Sequence, residues 1–270
     1  MVSQYEITMH YMISDRPYSG TQAVSRAIAL LKTFSDAQPE WNLAQLAQAA
    51  NLNKTTAYRL LRALESEGMV GRNRDTGAYR LGPEAIAVGG RALRCNDVRF
   101  ASHGVLEALA QQVGEAATLE ILVGDQVMVL DEVPSSHLVA TWQSVGTRYA
   151  AHATSTGKLL LAYLSREERS AILQLPLARL TEHTITDLEE LERELARVRA
   201  QGFALACEEL ESGFVAVSAP VRHHDGQVVA AMSVGGPTTR LCRERLEDAT
   251  SRARQAASVA SGRLGYGKIA

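Results

Sequence analysis

The chain has 270 residues, enough for two domains. Hydrophobic residues make up 46% and charged residues 21%, the balance of an ordinary globular protein, and no apolar run approaches the 18 residues a membrane span needs. The net charge of −2 hides an asymmetry: residues 21–82 carry eight Lys/Arg against five Asp/Glu, so the head is basic and the remainder acidic. That split suits a phosphate-facing module joined to a body that avoids nucleic acid.

Residues 1–20 lack the basic start and apolar core of a secretory signal. They are expected to form a disordered arm, with Met12 as an alternative start. Cys95, Cys207 and Cys242 are odd in number and form no CxxC pair. This argues for a reducing, cytoplasmic setting without a structural disulfide or a zinc cage. No metal site and no cofactor is expected.

The head, 21–82, opens with a helix predicted over Thr21–Ser35, where Ala23, Ala27, Leu30, Leu31 and Phe34 form one stripe. Gln38-Pro39-Glu40 breaks it. Asn42 is placed to cap a helix over Leu43–Ala50. Asn51 suits the left-handed residue of a tight turn, and Asn53 can cap a helix over Lys54–Glu67. In that helix Ala57, Leu60, Leu61 and Leu64 face inward, while Thr55, Tyr58, Arg59 and Arg62 share the opposite face.

This is a helix-turn-helix pattern, although a helical hairpin with a solvated polar face would read similarly. Arg, Lys and Thr at such positions suit base edges and phosphates in a major groove. Gly68 ends the helix. Val70 and Ala78–Leu81 then read as strands around Arg72-Asn73-Arg74-Asp75-Thr76-Gly77, a basic hairpin, or wing. The expected DNA-contacting residues are Lys54, Thr55, Thr56, Tyr58, Arg59 and Arg62 on the helix, with Arg72 and Arg74 on the wing.

Residues 83–99 read as a linker helix, with Pro83 in its first turn and Gly89-Gly90 inside it. Residues 100–270 then form the second domain, starting with a helix from about Phe100. Strands are predicted over Thr118–Val123, Gln126–Val133, His137–Trp142, Phe214–Pro220 and Gln227–Val234. Helices are predicted from Thr154 through Leu164, from a Thr186/Glu189 capping box to Arg199, and over Cys242–Ser261. The fold class is α+β with a mainly antiparallel sheet, a type that often holds a small ligand between sheet and covering helices.

Several blocks in a fixed order resemble the IclR family of bacterial regulators. They are QAVSRAIALLKTF, NLAQLAQAANLNKTTAYRLLRALESEGMV and GAYRLG in the head, and HATSTGKLLLAYL, TITDLEELERELARVRAQGFALACEELESGFVAVSAPV and AAMSVGGP behind it. The resemblance covers Thr21 to the C-terminus. It implies a winged helix-turn-helix head and a GAF-like effector domain. It also implies a homodimer, or dimer of dimers, on a palindromic double-stranded operator, and a small organic-acid or aromatic effector.

Carried across position by position, the family's pocket falls on Leu138, Thr141, Tyr149, Ser155, Thr156, Ala206, Phe214, Ala216, Ser233 and Gly235. Ser155 and Thr156 would stand at a helix N-terminus, where open N–H groups attract an anion. Some relatives carry an acid at the position of Ala206 and a cysteine at that of Ala216. Their absence points away from a two- or three-carbon acid and toward a carboxylate with an apolar or aromatic body, flanked by Tyr149 and Phe214.

Other chemistry is weaker. His223-His224 precedes a turn and reads as a solvated loop, Glu208-Glu209 as scaffold, and Cys207 as a buried small hydrophobe. His152 either orients the helix start or packs. Ser155 lies in no GxSxG elbow, and no phosphate or dinucleotide fingerprint occurs. An enzyme is not expected. The alternatives are a rear domain that only oligomerises, or an enzyme recruited to DNA by the head.

Overall fold

A computed structural model of the chain describes residues 20–135 and 145–267. The expected arm up to residue 19 and the strand expected over His137–Trp142, with Leu138 and Thr141, lie outside the described residues. The chain divides into two compact units between Cys95 and Asn96.

In the first unit α1 (Gln22–Lys32), α2 (Leu43–Ala49) and α3 (Lys54–Ser66) precede a hairpin of β1 (Val70–Arg72) and β2 (Tyr79–Leu81). Each helix start has a local cause. The Asn42 side chain accepts the Gln45 N–H at 2.9 Å while Gln45 reaches back to the Asn42 N–H at 3.3 Å, a reciprocal cap that satisfies two otherwise orphaned donors. Asn53 accepts the Thr56 N–H at 2.8 Å. Between α2 and α3 the backbone reverses at Asn51, whose φ is +52°.

Leu30, Leu46, Ala47, Ala57, Leu61, Val70 and Tyr79 form the core of this unit. Each large apolar side chain so buried contributes roughly 1.5–3 kcal/mol. The wing registers Val70 with Leu81 and Arg72 with Tyr79. Trp41 extends it, exchanging backbone hydrogen bonds with Tyr79 at 3.0 and 2.8 Å. Helix α4 (Pro83–Arg94) carries Pro83 in its first turn, passes through Gly89-Gly90 without a break, and has no fully buried residue.

The second unit begins at α5 (Asp97–Val113), three residues before the expected start. The reason is Asn96, which accepts the Arg99 N–H at 2.8 Å and so fixes the first turn. Six strands follow: β3 (Ala116–Val123), β4 (Gln126–Val133), β5 (Arg148–Ala150), β6 (Ala204–Cys207), β7 (Phe214–Arg222) and β8 (Val228–Pro237). They form one sheet in the order β5-β4-β3-β8-β7-β6, with every pairing antiparallel.

Helices α5 and α9 (Arg243–Arg263) pack together on one face, and α6 (Ser155–Tyr163) and α8 (Leu188–Gln201) pack on the other. A short helix, α7 (Arg166–Ile172), lies between the latter two in sequence. It was not foreseen, although Ser165 and Glu168 form a reciprocal cap readable as Ser-x-x-Glu. The cap of α8 is Asp187, which accepts the Glu190 N–H at 2.8 Å, not Thr186 with Glu189 as expected. The Thr186 hydroxyl is instead occupied, accepting from Arg179 Nη2 at 2.9 Å.

Because strand side chains alternate, the two faces of the sheet differ. Toward α5 and α9 stand Ala117, Leu119, Val217, Ala219, Val221, Met232 and Val234, all buried and apolar. Toward α6 stand Thr118, Glu120, Ala206, Ala216, Ser233 and Gly235, which are short or polar. Short side chains under a helix leave space.

Candidate nucleic-acid interface and ligand cavity

On α3 the residues Lys54, Thr55, Tyr58, Arg59 and Arg62 are exposed and Thr56 is half-buried, opposite the buried Ala57 and Leu61. Tyr58 keeps 46% of its surface exposed, unusual for an aromatic side chain next to a packed core. Arg62 is partly engaged, its Nη1 3.1 Å from Glu65 Oε2. The two wing arginines differ. Arg72 donates from Nε to the Gly77 carbonyl at 3.0 Å and lies 5.4 Å above the Tyr79 ring, so it closes the hairpin. Arg74 is exposed on the turn that Asn73 organises by accepting the Asp75 and Thr76 N–H groups. Sequence reasoning treated the two alike and could not see this division of labour.

In the second unit a small, partly enclosed cavity lies between the sheet and the start of α6. Eight of the expected residues line it: Tyr149, Ser155, Thr156, Ala206, Phe214, Ala216, Ser233 and Gly235. Gly235 is needed for its wall, because a Cβ there would stand 2.6 Å from the Phe214 ring. Gly157 lets the first turn of α6 press against the 3-10 turn Ala151–Ala153; any side chain would collide with the Ala151 carbonyl. Thr154 caps α6 by accepting the Gly157 N–H at 3.0 Å. As the first two residues of α6, Ser155 and Thr156 have N–H groups with no acceptor among the described residues, and both residues line the cavity.

Glu120 was missed. It lines the cavity from β3, beside a bulge at Leu119/Glu120. The Thr118 hydroxyl donates to its Oε1 at 2.7 Å and the Thr156 hydroxyl to its Oε2 at 2.6 Å. Burial raises the carboxyl above the ordinary glutamate value, and the two hydroxyls offset this only in part. Tyr149 is also raised, by burial and then by the nearby Glu120 charge. A single acid in the strand run Thr118–Val123 was the available signal, since such a strand otherwise holds apolar residues.

The loop after β6 is tied to α6 by buried charge. Lys158, fully buried on α6, donates to Glu209 Oε1 at 2.6 Å and to Glu194 Oε1 at 3.4 Å. Glu208 adopts a left-handed backbone, φ +57°, and its carboxylate accepts the Gly213 N–H at 2.7 Å. The loop 208–213 is thereby held with Leu210 against the cavity. Both acids act as scaffold here. Cys207, expected to be buried, is exposed at the end of an edge strand. Desolvation, then Glu208 and Glu209, raises its thiol, which disfavours the thiolate a nucleophile needs. His152 is packed, its Nε2 2.9 Å from the Ala178 carbonyl. His223 and His224 stack edge-on, 4.3 Å apart, beside a turn. Among the described residues no cluster could hold a metal ion, and no helix is long and apolar enough to cross a membrane.

Comparison with known proteins agrees with both geometries. Residues 23–74 match the IclR helix-turn-helix domain, and residues 90–261 match the C-terminal domain of the bacterial transcriptional regulator IclR. The chain is 31% identical over 246 residues to the transcriptional regulator XynR of Escherichia coli K12, spanning 91% of this chain and 98% of XynR. It is 32% identical over 228 residues to BhcR of Paracoccus denitrificans, spanning 84% and 81%.

A solved IclR transcriptional regulator from Alicyclobacillus acidocaldarius superposes with a TM-score of 0.81 at 30% identity, over 90% of this chain and 98% of that one. An IclR homologue from Microbacterium hydrocarbonoxydans, solved in complex with 4-hydroxybenzoate, superposes with a TM-score of 0.78 at 28% identity, over 90% and 98%. XynR, BhcR and the Alicyclobacillus protein are named as transcriptional regulators. A helix-turn-helix head followed by a cavity-bearing antiparallel domain is thus the arrangement of a known group, and the chain belongs to the IclR family of bacterial transcriptional regulators.

Proposed function

We propose that the protein is a ligand-gated regulator that reads a palindromic operator as a dimer or dimer of dimers, in the cytoplasm. In this reading α3 enters the major groove. Arg59 and Arg62 face guanine edges, Thr55, Thr56 and Tyr58 add hydrogen bonds and apolar contact, and Lys54, Arg72 and Arg74 neutralise phosphate. The cavity takes a small carboxylate with an apolar or aromatic body. The open Ser155 and Thr156 N–H groups face its charge, Tyr149 and Phe214 flank its body, and Ala206, Ala216, Ser233 and Gly235 form the floor. Effector binding shifts the population of dimer geometries and hence operator affinity.

The observation that carries this reading is the cavity itself, a space between the small-residue sheet face and a helix start. The Microbacterium homologue, which holds an aromatic carboxylate, supports it. The test is thermal unfolding of the purified protein with 4-hydroxybenzoate, benzoate and phenylacetate, followed by operator binding with whichever stabilises it. Stabilisation together with a change in operator affinity is the expected result. Stabilisation only by two- or three-carbon acids would overturn the apolar-body assignment.

A further inference from the structure

The lining of the cavity poses a charge problem for an acid. Among the described lining residues Glu120 is the sole acid, and Lys, Arg and His are absent. Of the elements packed around Glu120, β5 brings the titratable Tyr149, which also feels Glu132 of β4, paired with Thr118, and Glu211 of the loop after β6, while β6, β7 and β8 bring Ala206, Ala216 and Ser233. Its partner across the sheet on β4 is Val129. Lys158 on α6 is turned away, toward Glu194 and Glu209. Thr156 ties Glu120 to the helix start, since its hydroxyl donates to Glu120 Oε2 at 2.6 Å while its N–H is one of the two open donors of the first turn. An acid seated on those N–H groups therefore rests beside the Glu120 carboxyl. Two carboxylates this close, with no cation between them among the described residues, do not both stay ionised; they share a proton.

We propose that Glu120 is the specificity-determining residue of the cavity, admitting an organic acid only together with one proton held between the ligand carboxylate and Glu120. The proton comes from solvent, no covalent bond changes, and the pair carries one negative charge facing the start of α6. The inference rests on the reading of the cavity as an organic-acid site. It makes Glu120, which stands on a strand position away from Ala206 and Ala216, the polar anchor that those two positions lack. Burial of Glu120 acts in the same direction, since desolvation already favours its protonated form.

The experiment is calorimetry on the full chain and on Glu120→Gln, from pH 5.5 to 9.5, in two buffers of different ionisation heat. The probes are benzoate, 4-hydroxybenzoate and phenylacetate, with benzamide as the uncharged match. The wild-type protein should lose acid affinity as pH rises, approaching tenfold per unit once Glu120 ionises, with proton uptake visible as buffer-dependent heat. Benzamide should show no such loss. Glu120→Gln should bind the same acid with a flat pH profile, and more tightly than wild type at the alkaline end. An acid that binds wild type with flat affinity and buffer-independent heat across the range would overturn the proposal. If the wild type binds an acid and Glu120→Gln binds none even at pH 5.5, this inference falls alone; if neither protein binds any of the acids, the organic-acid reading falls and takes this inference with it.

Discussion

The helix proposed to face DNA and the cavity proposed to hold a ligand are built in opposite ways. On α3 the working side chains are neighbours in sequence, exposed, and mounted on a core of seven buried residues that they do not join. In the cavity the proposed contacts come from five strands and the start of α6, are mostly buried, and are themselves part of the packing. The first surface can therefore be altered without touching the fold, whereas the second cannot be altered without affecting stability. Substitutions should divide along that line.

The largest effect is expected at the buried Lys158–Glu209 pair. Lys158→Ala leaves Glu209 buried without its cation and should cost about 3–5 kcal/mol, read from the urea midpoint. Replacing both partners, Lys158→Met with Glu209→Leu, should recover most of that loss. If Lys158→Ala unfolds at the wild-type midpoint, the buried pair is not holding the loop after β6. Gly157→Ala, whose new methyl meets the Ala151 carbonyl, should cost about 1–3 kcal/mol in the same assay.

On the head, Arg59→Ala should leave stability within about 0.5 kcal/mol of wild type, because the side chain is exposed. Its operator preference should drop by about 1–3 kcal/mol at one base position. Unchanged discrimination by anisotropy would remove Arg59 as a reader. Arg74→Ala should weaken binding to all sequences alike and lower the salt slope by about 1, while Arg72→Ala should also loosen the hairpin it closes.

The smallest effect concerns pH. The folded pKa of Glu120 is raised, so its contribution to stability is present below the ordinary glutamate value and is lost as pH rises through the raised one. Glu120→Gln should therefore gain stability relative to wild type as pH increases from 4 to 8, measured by thermal unfolding. A constant difference across that range would contradict the raised carboxyl.

The same contrast explains what was legible in the sequence. Stripes, caps and turn residues are local, so Asn42, Asn51, Asn53, Gly68 and the wing could be placed from their neighbours. The α+β class and the antiparallel hairpins followed from alternation and turn signals. The cavity is non-local. Its pocket positions were drawn from family resemblance, and Glu120 escaped because nothing in its own strand shows which pleat faces α6 or that Thr156 will reach it. The α8 cap was displaced by one residue because two adjacent positions, Thr186 and Asp187, could each serve, and a distant arginine decided between them. Cys207 was misjudged because edge position depends on strand order, which β6 acquires only through its pairing with β7.

The most direct test of the account is binding of the full chain to the intergenic DNA beside its own gene, against a scrambled duplex, by anisotropy across a salt series. Tight, salt-sensitive binding that prefers the native duplex is expected, with loss of that preference in Arg59→Ala. Equal, weak binding to both duplexes, and to genomic fragments tested in the same way, would contradict α3 as a sequence reader.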